Sequence, residues 1–439
     1  MEQEAASFDA AGNETEQKEG ALQLERLEYG ENGDQQNHPL RTRRFATVLN
    51  LLCALLGAGV LSVPNSFTNA GIIPSVLLLL LMAVLSHIGT VITVTLQAET
   101  QSSGFPDLAG KLLGRAGSIG LSIMSLMYLV SAQLGYLILG GDMIVSWFAV
   151  AGIDISGMWP RAIATAVYAI VFPIALTLPK RIGYFKYIAA ITAVSVLFFN
   201  VAVVVKGSIQ FNSVGLGEFK WGFADVRLFS SLSIYGLTFA LPVVVLPVIA
   251  PYNPDVRKRS IVSAAAIAIC TILVIVPGLF GYLSFGQQTQ PNILKNYPDN
   301  DVLMMIVRLA FLLVVSFAYV AAGQSTPVAW SEIIFKDSKP KELTMWKRII
   351  IILISNVPQL LIAMFMANAK PALSVGGAMG GCMADFFFPA IMWIKHSKQR
   401  LSHWKNMLCI CFAIFGLVTT VISVYQAVLD AIESFKTLK

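Results

Sequence analysis

Phe45-Ala-Thr-Val-Leu-Asn50-Leu-Leu-Cys-Ala-Leu-Leu-Gly57-Ala58-Gly59-Val60-Leu-Ser62-Val-Pro64-Asn65 is apolar and long enough to cross a bilayer, yet two glycines and a proline interrupt it. Lipid offers no hydrogen-bond partner to a loosened backbone. Such a break survives only where it is buried in protein or lines a cavity. Broken membrane helices of this kind are the sequence mark of a transporter's binding site.

The rest of the chain fits that start. Of its 439 residues 56% are hydrophobic and 13% charged, with a mean hydropathy of +0.70. A soluble domain carries about twice that charge. Residues 1–40 are the exception, with ten acidic side chains against Lys18 and Arg26. They read as a disordered acidic tail, and lack the basic and apolar regions of a signal peptide. All five cysteines, Cys53, Cys270, Cys382, Cys409 and Cys411, fall in apolar segments and read as small buried hydrophobes.

Residues 41–439 form the membrane domain. Eleven apolar segments are expected at about 45–67, 72–96, 117–148, 161–178, 186–206, 229–250, 259–283, 302–322, 347–366, 371–394 and 405–430. Loop bases sort by parity: Arg41, Arg43 and Arg44, then Lys111 and Arg115, then Lys180 and Arg181, then Arg257 to Arg259, then Lys336 to Arg348, then Lys395 to Lys405. The alternate loops are nearly free of them, although 206–228 is mixed. The positive-inside rule makes the amino terminus cytosolic. This parity assigns the basic excess to membrane orientation and gives no support to a nucleic-acid partner.

The sixth segment is broken too: Ser231-Leu-Ser233-Ile-Tyr235-Gly236-Leu-Thr238-Phe239-Ala-Leu-Pro242. Five segments precede it, so a second set of five runs inverted relative to the first. The expected architecture is all-α and leucine-transporter-like: repeat one over about 45–206, repeat two over about 229–394, and an extra helix over about 405–430. Half-helix amino termini suit a carboxylate and half-helix carboxyl termini an ammonium or small cation, so the paired breaks suit a zwitterion such as an α-amino acid. No charged residue is evident in either break, which favours neutral amino acids.

Several motifs resemble the amino acid/auxin permease family, within the amino acid–polyamine–organocation superfamily. They are Leu56-Gly57-Ala58-Gly59-Val60-Leu61 with Pro64, Tyr136 leading to Gly141-Asp142, Phe172-Pro173, Gly281-Tyr282 with Phe285-Gly286 and Asn292-Ile293-Leu294, and Gly377-Ala378 with Phe388-Pro389-Ala390. In order, they cover nearly the whole chain outside the tail. The resemblance implies amino acid transport driven by a proton or sodium gradient, across a vacuolar, lysosomal or plasma membrane, with no cofactor beyond that ion.

The expected substrate site comprises Gly57, Ala58, Gly59, Val60, Tyr136, Tyr235, Gly236, Thr238 and Phe239. Close helix packing is the alternative for its small residues, and core packing for the rest. Ion coupling is assigned to Ser316, Thr326, Asp385 and His87. Ser316 or Thr326 would add oxygen to carbonyls of the first helix around a sodium ion. Asp385 or His87 would carry a proton, with structural pairing as the competing role. No further metal ligand set is apparent. Two other classes remain open. A nutrient sensor would signal through the acidic tail. A membrane enzyme is disfavoured, because His38, His396 and His403 lie in tail or loops and no nucleophile–base spacing is recognisable.

Overall fold

In a computed structural model, the structure describes residues 42–436 apart from 58, 178–184, 214, 224, 336–342 and 367. The expected tail and Ala58 lie outside the described residues. Among the described residues, ten helices are long and apolar enough to cross a membrane. An eleventh span comes from the pair Arg44–Leu55 and Gly59–Asn69, bent by 58°. The spans are numbered one to eleven below, in chain order.

Spans one and six are both split. Span six runs as Leu228–Thr238 and Leu241–Ile249, with non-helical backbone at Phe239 and Ala240 between them. Each split span opens a set of five, and span eleven, Trp404–Lys436, follows. Exposed apolar side chains such as Val171, Val194 and Ile272 form the lipid-facing surface, as expected of helices with no water around them. Span six is the reverse case: about four-fifths of its most apolar window is buried, because it sits at the centre of the bundle.

Spans three and eight outrun their expected apolar segments the most. Span three is Phe105–Val150, with a kink at Gly114, where φ is 77°. Lys111 and Arg115, expected in a loop, therefore lie on helical turns either side of that kink. Lys111 donates to the carbonyls of Thr100 and Gln101, tying the kinked turn to the end of span two, Ile72–Thr100. Span eight, Val302–Phe335, likewise extends past its apolar stretch.

Span ten contains an irregularity of its own. Between Lys370–Gly376 and Phe388–His396, residues Gly377–Phe387 are wound as a π-helix. Wide turns of this kind cluster at functional sites. The glycines there let other spans approach. A β-carbon on Gly236 would come within 3.1 Å of the Gly377 carbonyl oxygen and 3.2 Å of Cys382 Sγ.

Span eleven is bound into the bundle. Thr420 Oγ1 donates to the Ala378 carbonyl at 3.1 Å and Ser423 Oγ to the Phe229 carbonyl at 2.8 Å. Phe386 and Phe412 pack with ring centroids 5.1 Å apart. Of the cysteines, Cys270, Cys382 and Cys409 are buried and Cys53 is half-buried, whereas Cys411 is exposed. That corrects the expectation of five buried thiols: Cys411 falls on the outer face of span eleven.

Candidate functional site: the paired helix breaks

The first half of span one ends where Leu56 turns to φ −81° and ψ 74°. The Gly57 amide then bonds the Leu55 carbonyl at 3.0 Å, a tight turn in place of another helical bond. Carbonyls at the end of the first half and amides at the start of the second lack intrahelical partners by construction.

Two glycines hold this turn against its neighbours. A β-carbon on Gly57 would stand 2.8 Å from the hydroxyl oxygen of Tyr136, which comes from span three. One on Gly59 would stand 2.5 Å from Thr238 Oγ1, at the end of the first half of span six. Here glycine is required by close approach. The breaks in spans one and six therefore adjoin, with Tyr136 beside the first. Val60 is fully buried and follows the turn, its amide reaching the Gly57 carbonyl at 3.4 Å.

Two other expected site residues, Tyr235 and Gly236, go elsewhere. The Tyr235 hydroxyl accepts a hydrogen bond from Ser66 Oγ at 2.9 Å, at the far end of the second half of span one. Gly236 faces the π-turn of span ten, as described above. Phe239 is buried, and its carbonyl accepts from Ser86 Oγ at 2.5 Å, so span two holds one carbonyl of the break. Gly57, Gly59, Val60, Tyr136, Thr238 and Phe239 form the junction. Tyr235 and Gly236 brace it from outside.

The other helix start, at Leu241, is already engaged. Pro242 has no amide hydrogen, and the Val243 amide donates to Asp385 Oδ1 at 2.9 Å. Asp385 is fully buried in the π-turn of span ten, and its Oδ2 has no hydrogen-bond partner among the described residues. A carboxylate at a helix amino terminus is complementary to the partial positive charge there. Of the two half-helix amino termini, the one in span six faces a protein carboxylate and, among the described residues, the one in span one does not.

The residues assigned to ion coupling are dispersed. Ser316 Oγ pairs with the Tyr168 hydroxyl at 2.7 Å and donates to the Leu312 carbonyl at 2.6 Å. Thr326 Oγ1 donates to Gln133 Oε1 at 2.9 Å and to the Ala322 carbonyl at 3.0 Å. These bonds tie span eight to spans four and three. A sodium site using either hydroxyl with carbonyls of span one would need those partners exchanged. His87 is half-buried on span two, with Nδ1 unpartnered among the described residues.

A second polar cluster lies where spans three and eight meet the loop 286–301. It surrounds a cavity of about 310 Å³ lined by Asp142, Ser146, Asp154, Lys295, Asp299 and Arg308 among others. Asp142 pairs with Arg161 at 3.2 Å and Lys295 at 2.9 Å. Arg308 is buried and donates to the carbonyls of Leu294, Tyr297, Pro298 and Asp299, fastening the loop to span eight. Arg161 was the partner missed for Asp142. The available signal was two opposite charges at the same membrane level, at the end of one span and the start of the next.

The family described as "Transmembrane amino acid transporter protein" matches residues 42–429. A rat protein named sodium-coupled neutral amino acid transporter 7 is 24% identical over 387 residues, covering 83% of this chain and 81% of its own. A Xenopus laevis protein named putative sodium-coupled neutral amino acid transporter 10 is 24% identical over 397 residues, and human solute carrier family 38 member 10 is 24% identical over 373. Those matches cover 87% and 82% of this chain but only 37% and 33% of those longer proteins. Among solved structures, MhsT in complex with L-phenylalanine superimposes with a TM-score of 0.54 at 16% identity, covering 88% of this chain and 99% of that one. At that identity the likeness is one of fold.

Proposed function

This chain belongs to the transmembrane amino acid transporter family, and on that footing we propose that it is a secondary active transporter of neutral amino acids working by alternating access. Membership of that family sets it among transporters and not enzymes. The observation that carries the proposal is the junction of the two breaks, where Gly57 meets Tyr136 and Gly59 meets Thr238.

The chemistry of the junction orients a zwitterion. The substrate carboxylate takes the amides at the start of the second half of span one, because the corresponding amide of span six is occupied by Asp385. The Tyr136 hydroxyl lies beside the turn as a further donor. The substrate ammonium takes carbonyls at the ends of the two first halves, around Leu55 and Thr238. The glycines let the ligand reach the main chain.

Neutral side chains fit best because residues 55–60 and 237–241 carry no charge. The names of two of the relatives, which specify neutral amino acids, and the L-phenylalanine of the MhsT complex agree with that choice. Coupling is to a sodium or proton gradient, sodium being the ion named for two of the relatives. The amino terminus is cytosolic on the distribution of loop bases. The membrane is vacuolar, lysosomal or plasma.

Reconstitution tests the proposal. Purified protein in liposomes is assayed with a panel of labelled amino acids under an imposed pH gradient and, separately, a sodium gradient. Gradient-driven accumulation of neutral members supports it. No exchange and no accumulation of any amino acid refutes it.

A further inference from the structure

A carboxylic acid that is fully buried in the membrane, without a basic partner, has to be explained. Asp385 shows no ion pair among the described residues, and one of its oxygens is unpartnered. Isolated charges in such places are costly and mark function by default. Two effects compete at the carboxyl group. Removal from water disfavours the charged form, while the amino terminus of the second half of span six favours it.

Among the described residues, no other charge disturbs that competition. Around the π-turn, span six presents Pro242 and Val243, span two presents Gly89, and span eleven presents Phe412, Phe415 and Gly416. Among the described residues, the titratable groups in electrostatic reach are Tyr128 of span three and Cys382 on the same turn, each uncharged while it holds its proton. His87 is two residues from Gly89, about 200° around span two, and so on another face.

We propose that Asp385 is the proton-carrying group of the transport cycle, taking one proton on its free oxygen Oδ2 and returning it on the other side of the membrane. The proposal rests on the transport reading above and specifies its coupling ion. The ionised carboxylate holds the start of the second half of span six against the π-turn of span ten through Val243. Protonation removes the charge that complements that helix end and weakens the tie. Leu241, where this half-helix starts, immediately follows the Phe239–Ala240 break, whose other side, Thr238, abuts Gly59. The protonation state is thereby linked to the substrate junction, and the looseness of a π-turn lets span ten follow it.

The test uses full-length protein in sodium-free proteoliposomes, with a neutral amino acid as substrate. Wild type, Asp385→Asn and Asp385→Glu are compared for exchange at equal pH, for accumulation under a pH gradient, and for proton entry reported by a trapped dye. The Asn carbonyl can still accept the Val243 amide, so D385N retains measurable exchange, at whatever rate. It loses both accumulation and substrate-driven proton entry. D385E keeps accumulation with a shifted pH midpoint. Accumulation by D385N overturns the proposal. So does a wild type that exchanges substrate without responding to the pH gradient. A wild type with no exchange refutes the transport reading instead. Should D385N not assemble, D385E decides, and an unchanged pH midpoint overturns the proposal.

Discussion

The hydroxyl oxygen of Tyr136 lies 2.8 Å from the point where a β-carbon on Gly57 would stand. One side chain of span three thus closes over the turn that splits span one, leaving no room for a β-carbon at Gly57. Tyr136→Phe keeps the ring and removes only the donor. A hydrogen bond to a charged group is worth about 1.5–3 kcal/mol, so the variant should raise KM for a neutral amino acid about ten- to a hundredfold, with unchanged protein levels in the membrane. Concentration-dependent uptake in liposomes measures it.

Gly59 and Thr238 allow a sharper test, because the obstacle is one atom. Gly59→Ala drives a methyl group into Thr238 Oγ1, whereas the nearest Thr238 backbone atom is 3.5 Å away, an ordinary contact. Gly59→Ala alone should lose most transport. Adding Thr238→Ala, which deletes that oxygen, should restore a substantial part of it. Uptake by both single variants and the double variant completes the cycle, and strictly additive losses would remove the contact from the account.

Arg308 predicts a stability effect away from the breaks. Its guanidinium supplies donors to four loop carbonyls, and a lysine ammonium cannot reproduce that planar fork. Arg308→Ala should cost about 3 kcal/mol or more, since buried acceptors lose their partners, and Arg308→Lys should recover little. Thermal unfolding in detergent, followed by size exclusion, measures both variants.

Asp301, in the loop before span eight, gives a pH-dependent effect. Burial opposes its charge, but Lys206 and the amides of Met304 and Leu303 outweigh burial and hold its carboxyl below the usual range. A carboxylate held low in the folded state stabilises above its unfolded value of about 3.9, and that stabilisation is lost as pH falls through the folded value. Asp301→Asn should therefore lower the melting temperature near neutral pH, and the difference from wild type should close as the buffer is taken below about pH 4. A constant difference across that range would contradict the pairing.

What could be read from the sequence follows from how each feature is written in it. The break in span one was legible because Gly57, Gly59 and Pro64 are themselves unusual in a spanning helix. Asp385 was legible as a lone carboxylate. Its partner was not, because a backbone amide has no letter of its own, and the one at Val243 becomes available only where Pro242 starts a new half-helix. Tyr235 lies in the expected stretch, yet its hydroxyl turns to Ser66, since the pattern of residues does not specify where a long side chain points along its helix. The π-turn at Gly377–Phe387 was hidden for a different reason. Its glycines suit close packing equally well, and only the approach of Gly236 reveals that spans six and ten need them.

The central claim is that the turn at Gly57 holds the substrate, and equilibrium binding of a labelled neutral amino acid to purified protein tests it most directly. Wild type is compared with Gly57→Val and with Gly104→Ala, a control whose added β-carbon would meet nothing within 4 Å. Wild type and G104A should bind with the same affinity, while G57V, reaching the membrane and purifying as a single species, should show no saturable binding. Wild-type affinity in G57V would contradict the account.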